Sequence, residues 1–257
     1  MLSGGLARSY ARHPVTRSVC RRRERRVYHC AMETPALLGG RSTGCCVVLM
    51  MKSAARSKRR LAEHIGAQHA TQVAQHLLEC AREDLAAWPG PVCVAPSAAD
   101  ERIDATPADA VVVQRGGNLG ERINHVNDEL VRRGYERQLF IGIDCPGLDV
   151  AYLERAAAAL NDHVTVLGPA ADGGVVLMGV RGSWPALAAL PWSTSTLFES
   201  LRAACTAGGS SAATLPCLKD IDTLGDLLAL RTELLDDPRP ARRALASWLM
   251  AQTDLAR

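Results

Sequence analysis

Cations crowd one stretch of this chain. Lys52, Arg56, Lys58, Arg59 and Arg60 fall within nine residues, KSAARSKRR (52–60), directly after an apolar run. Such a loop can neutralise a diphosphate or triphosphate, with arginine gripping two oxygens at once. Cations at a helix N-terminus oppose its dipole, so an anion would explain them; a solvated basic turn is the other reading. The stretch lacks the glycines of a Walker loop. Carboxylates mark further loops. Asp144 closes the run QLFIGID (138–144), and Pro146-Gly147 then bends the chain away. An aspartate there is costly to bury unless it meets a cation or several donors. Magnesium favours one or two carboxylates with substrate phosphates and waters; an Asx-turn competes with that reading. Cys145 reads as a packing thiol, because no histidine stands at a partner spacing.

Four more segments belong with these. In GNLGERI (117–123), Gly117, Asn118 and Gly120 permit close backbone approach and offer free N–H groups to an anion or base. In ADGGVVLMG (171–179), Asp172, Gly173 and Gly174 read singly as a hairpin turn. In KDIDT (219–223), Asp220 and Asp222 read singly as helix caps. PWSTST (191–196) lies between the last two. Their joint order is more informative than any one of them.

The elements that must position these residues follow from periodicity. CCVVLMM (45–51), PVCVAP (91–96), AVVVQ (110–114), QLFIGID (138–144), HVTVLG (163–168) and GVVLMGV (174–180) are short apolar runs of the kind that form buried strands. Leu61, Ile65, Val73, Leu77 and Leu85 recur at helical spacing, and Pro89-Gly90 stops that helix. Leu119, Ile123, Val126 and Leu130 make a second stripe, capped by Asn118. Helices are expected also at 150–161 and about 195–207, 223–235 and 240–252. The alternation predicts an α/β domain with a mostly parallel sheet covered on both faces. The link between 163–168 and 174–180 is too short for a crossover helix, so an antiparallel or edge pairing is predicted there. Ligands of such sheets bind beyond the carboxyl ends of the strands, where the loops above fall.

Composition sets bounds. The chain has 257 residues, 47% hydrophobic and 22% charged, enough for one sizeable domain with a tail. Of thirty basic and twenty-seven acidic residues, nine arginines and two acids lie in residues 1–43. The remainder therefore carries four more acids than bases, which argues against a nucleic-acid-binding core. Residues 1–43, centred on Arg21–Arg26, read as a disordered Arg-rich extension, with a transit peptide or a basic arm as alternatives. Residues 44–257 read as one domain. The nine cysteines form no C-x-x-C pair and suit a reduced, cytoplasmic setting. No run of eighteen apolar residues suggests a membrane span.

The ordered set from Lys52–Leu61 through GNLGERI, IGIDCPGL, GPAADGGVVLMG, PWST and DIDT resembles a bacterial family of GT-A-like transferases over about residues 45–232. Its members are labelled glycosyltransferases or transferases associated with radical-SAM and selenium genes. They look like the nucleotide-diphospho-sugar transferase superfamily, which includes molybdenum-cofactor and 2-phospholactate guanylyltransferases. The resemblance implies a GT-A-like mixed sheet, with Asp144 and Asp222 on the metal side and Asp172, Gly173 and Gly174 near the acceptor or nucleotide. Two departures stand out. The first loop, KSAARSKRRL, lacks the glycine of the family's P-x-x-G-x-V-K-T-R-L and is closer to the lysine-rich loop of 2-phospholactate guanylyltransferases. GGVVLMG also lacks the aromatic that often follows the glycines.

The leading expectation is transfer from a nucleotide-activated donor, a nucleotide sugar, to a small-molecule acceptor. Mg²⁺ or Mn²⁺ on Asp144 and Asp222 would neutralise the leaving diphosphate. Lys52, Lys58 and Arg60 would hold its oxygens, and Asp172 would position or deprotonate the acceptor. The first alternative is nucleotidyl transfer from a nucleoside triphosphate to a phosphorylated acceptor. The second is a non-catalytic nucleotide-binding protein on the same fold.

Overall fold

The computed structural model describes residue 1 and residues 44–52, 58–99, 106 and 108–252. Arg56 and the arginines of the N-terminal stretch lie outside the described residues. The sheet, its helices and the candidate site all belong to the unit Ser42–Arg257.

The residues whose side chains water rejects on both faces build the centre of a sheet. β1 (Cys46–Met51) is almost wholly buried and pairs in parallel with β2 (Val92–Pro96) on one side and β4 (Arg137–Ile141) on the other. Val47 and Leu49 point to one core, Cys46 and Val48 to another, as the two-residue period of a strand requires. β3 (Ala110–Val111) extends one edge beside β2. β5 (Thr165–Pro169) and β6 (Val175–Arg181) form the predicted tight antiparallel pair, and β6 also runs antiparallel to β4. β7 (Ala212–Thr214), too short and plain to read from sequence, completes the seven-stranded order β3-β2-β1-β4-β6-β5-β7 beside β5.

Helices cover both faces. α3 (Val150–Asp162) and the end of α1 (Arg59–Ala87) pack Tyr152, Leu153, Leu160 and Leu85 on one face. α2 (Leu119–Arg132) and α4 (Leu197–Thr206) bring Ile123, Val126, Leu130 and Leu201 to the other. A third cluster lies away from the sheet. There Leu61, Val73 and Leu77 of α1 meet Leu227 of α5 (Leu224–Glu233) and Leu245 and Leu249 of α6 (Pro240–Ala251). One detail of α1 goes beyond the apolar periodicity. The helix is broken at Gly66, whose φ of 79° and ψ of 156° are not helical. Thr223 caps α5 in a capping box with Asp226, so Asp220 and Asp222, read singly as caps, are not the cap of that helix. Both carboxylates are free to serve elsewhere.

Candidate active site

Topology brings the chemical residues to one edge. β1 and β4 run in parallel, so their carboxyl ends deliver Lys52 and the Gly142–Leu148 loop together. β6 runs the other way, so its start lies at the same edge and places the Asp172–Gly174 turn there. Beyond β7 the chain continues alongside this turn. Leu218 N donates to Pro169 O and Ala171 N donates to Leu218 O, at 3.1 and 2.9 Å. Ile221 N then donates to Asp144 O at 2.9 Å, tying the DIDT segment to the Asp144 loop. Ile221 is buried, and the alternation of an extended chain sends Asp220 and Asp222 together to the other side.

The result is a convergence of acids. One oxygen from each of Asp172, Asp220 and Asp222 lies within 4.8 Å of the others. Asp144 joins them through Lys58. The Lys58 ammonium, 1% exposed, lies 2.7 Å from Asp144 Oδ1 and 3.2 Å from Asp222 Oδ1, and donates to Ile221 O. The contact with Asp144 is an ion pair without hydrogen-bond alignment, since among the described residues that oxygen has no hydrogen-bond partner. Arg60 Nη1 stands 3.9 Å from Asp222 Oδ2 on the exposed side. Burial and the neighbouring charge of Asp172 push the Asp220 carboxyl up to about 6. Packed acids of this kind favour a proton or a cation.

Two cavities flank these acids. One, about 210 Å³, is mostly apolar, with Met50, Phe140, Ile143 and Trp192 in its walls and Lys52, Asp144 and Asp220 at its polar end. The other, about 300 Å³, is lined by Arg60, Asp172, Asp222 and the hydroxyl residues Ser193, Thr194 and Ser195. Asp144 and Asp220 thus line the more apolar cavity, and Asp172 and Asp222 the polar one.

Local sequence explains how these walls meet. Gly173, at φ 88°, lies so close to the 193–195 segment that a Cβ would come within 2.0 Å of Ser195 O. Its carbonyl accepts from Phe198 N at 3.0 Å. The Asp-Gly-Gly and Pro-Trp-Ser-Thr motifs are thus two sides of one contact. Asp172 Oδ1 accepts from Gly174 N at 2.7 Å, which shapes the turn, while the residue itself remains exposed.

Residues 117–120 stand differently. Asn118 caps α2 by accepting from Glu121 N at 3.0 Å and donates to Ala188 O at 2.8 Å. Gly117 N donates to the Glu121 carboxylate at 2.5 Å. A Cβ on Gly120 would fall 2.3 Å from Leu187 O. The structure engages all three in seating α2, and Leu119 is the residue of that group that lines the apolar cavity. Cys145 is half-buried, and burial pushes its thiol up to about 12, consistent with a packing role. Asp220, seen singly as a cap, is the site residue sequence reasoning passed over; its Asp-x-Asp spacing to Asp222 was the available signal.

The mixed α/β sheet is GT-A-like in fold. The model of the family DUF2064, described as uncharacterized proteins conserved in bacteria, matches residues 55–194, more than half of the sequence. The chain belongs to that family. Among solved structures it is similar to a protein of Desulfovibrio desulfuricans G20, provisionally described as a nucleotide-diphospho-sugar transferase. They share 23% identity over 80% of this chain and 95% of that one, at a TM-score of 0.73. More distant are a CMP:2-keto-3-deoxy-manno-octonic acid synthetase complexed with CTP and Rv0371c of Mycobacterium tuberculosis H37Rv. The first is 13% identical over 74% of this chain and 98% of that one, at a TM-score of 0.48. The second is 18% identical over the same shares, at 0.46. No curated protein matches the sequence. Among the described residues, no helix is long and apolar enough to cross a membrane.

Proposed function

We propose that this chain is a divalent-metal-dependent transferase working in the cytoplasm. It takes a glycosyl group from a nucleotide sugar and passes it to a small acceptor. The observation that carries the reading is the convergence of acids that line two unlike cavities, Asp144 and Asp220 in one and Asp172 and Asp222 in the other. The donor set suits a hard divalent cation, because it consists of carboxylate oxygens, those of Asp172, Asp220 and Asp222 lying mutually within 4.8 Å. Asp144 and Asp222 would hold Mg²⁺ or Mn²⁺, with Asp220 as a further ligand. When bound, the ion would neutralise charge on a leaving diphosphate.

The chain's own residues have separable roles in this scheme. Arg60, 66% exposed at its side chain beside the polar cavity, grips phosphate oxygens. Lys52 does so from the apolar cavity. Asp172 faces the polar cavity and orients an acceptor hydroxyl or takes its proton.

The basic first loop favours a second reading, nucleotidyl transfer with release of pyrophosphate. One experiment separates them. Nucleoside triphosphates and nucleotide sugars are screened with and without Mn²⁺ by thermal shift, which rises with ligand concentration relative to affinity. Binders are then assayed for product. Nucleoside diphosphate released from a sugar nucleotide supports glycosyl transfer, and pyrophosphate released from a triphosphate supports the alternative. Full activity and unchanged metal-dependent binding in Asp144→Ala would defeat both.

A further inference from the structure

Lys58 occupies ground that the proposed reaction assigns to a cation. Its ammonium touches one oxygen of Asp144 and one of Asp222, and its side chain is almost fully buried. A metal ion approaching these oxygens meets a positive charge already in place. The residue's setting is also unusual. Lys58 has a φ of 56°, in the left-handed region that residues with a Cβ rarely enter. It begins α1 with no side-chain cap. Eight residues later the helix breaks at Gly66, in a conformation nearly closed to other residues. A Cβ at Gly66 would meet nothing within 4 Å, so open space surrounds the break. Segment 58–65 is therefore a short lever, separated from the long part of α1, with the ammonium at its tip.

We infer that Lys58 is a resident counter-ion, which a divalent cation must displace and which the ligand's diphosphate then receives. The inference rests on the metal-dependent reading above. It gives the site an order of events without any further component. Before binding, Lys58 neutralises Asp144 and Asp222 and keeps free metal weakly held. A diphosphate offers the ammonium a new anion while the cation takes its place between the carboxylates. Metal and diphosphate then strengthen each other's binding, by the same factor in each direction. The Gly66 break seats the ammonium over the carboxylates; its withdrawal needs only rotation about the bonds of the flexible Lys58 side chain, since Leu61 and Ile65 stay buried in the cluster with α5 and α6.

The test is a titration of the whole protein with Mn²⁺ alone, following free ion by electron paramagnetic resonance, and its repeat with GDP. Lys58→Met is expected to bind Mn²⁺ alone about tenfold or more tighter than wild type, within the usual range of such linkage. GDP should tighten Mn²⁺ binding in wild type and have little effect in Lys58→Met. Gly66→Ala, remote from the ions, disfavours the bent form and should tighten binding of Mn²⁺ alone several-fold. It keeps the test open if Lys58→Met fails to fold, which circular dichroism will show. If wild type binds Mn²⁺ with GDP, and Asp222→Asn loses it, but neither lever variant binds Mn²⁺ alone more tightly, the counter-ion role is wrong and the metal site stands. If wild type, Lys58→Met and Gly66→Ala all fail to bind Mn²⁺ with or without GDP, both ideas fall.

Discussion

The loop from Asp144 to Leu148 is held by charge at both of its ends, and the two grips differ. At the far end Arg242, fully buried, aims its five N–H groups at five acceptors. These are Pro146 O, Leu148 O, Cys80 O, Glu83 Oε2 and Asp84 Oδ2, at 2.5–3.2 Å. Arg239 adds a bond to Leu148 O at 2.9 Å and stands 3.5 Å from Asp84. At the near end, Asp144, Asp172, Asp220 and Asp222 share Lys58 and a distant Arg60. The first cluster is closed, with every donor answered within the protein. Among the described residues the second has more acceptors than cations, and its carboxylates are reached by water: the Asp144 side chain is 49% exposed and that of Asp222 38%. A finished charge network rigidifies a fold. An unfinished one is fitted to receive something.

That contrast can be broken most forcefully at Arg242. Arg242→Met takes the buried guanidinium from Asp84 and Glu83, leaving Asp84 only the 3.5 Å approach of Arg239 and Glu83 only the Ala241 amide, and removes one donor from each of two loop carbonyls. Removing one member of a buried ion pair costs about 3–5 kcal/mol. Urea unfolding should show a loss of that size, and a loss under about 1 kcal/mol would mean the cluster does not clamp the loop.

Asp222→Asn should give the opposite signature. The amide oxygen can still accept from Lys58, and the change relieves repulsion among the acids, so stability should move by less than about 1 kcal/mol. Activity should fall roughly 10²–10³-fold, the scale for losing one group that stabilises transition-state charge. The Mn²⁺-dependent rise in melting temperature should vanish with it. If this variant is destabilised as much as Arg242→Met, the two clusters are alike and the division into closed and open fails.

How much of this could be read from the chain follows the same line. The buried strands, the α2 stripe and the antiparallel turn before β6 were legible, because apolar period and loop length determine them locally. Asp144 was visible as a carboxylate closing an apolar run and Lys58 as one cation of a basic loop, while Asp222 read singly as a helix cap and gained its metal-side reading from the family resemblance. That Lys58 bonds both aspartates was not visible, since residues 58 and 222 meet only through the packing of α1 against α5. Arg242 gave no sign at all. It sits in an amphipathic C-terminal helix among other arginines, and only tertiary burial sets it apart from Arg243, which is exposed. Asn118 was legible as the cap of α2, since its place just before an apolar stripe is a local signal.

The subtlest difference between the clusters is their response to pH. Burial, opposed by Arg242 and Arg239, pushes the Asp84 carboxyl up to about 6. The folded protein then keeps a proton that the unfolded chain releases near about 4. The stability this contributes is full below that ordinary value and is lost as pH rises through about 6. Asp84→Asn cannot titrate, so its unfolding free energy should lack this component. The advantage of wild type over D84N should shrink by about 1–3 kcal/mol between about pH 4 and pH 7, since a tenfold change in proton affinity corresponds to about 1.4 kcal/mol. Denaturant titrations of both proteins across that range measure it. A constant difference would show Asp84 ionised throughout, with the guanidinium groups outweighing burial, and would make the closed cluster a fully charged network whose grip on the loop is indifferent to acid.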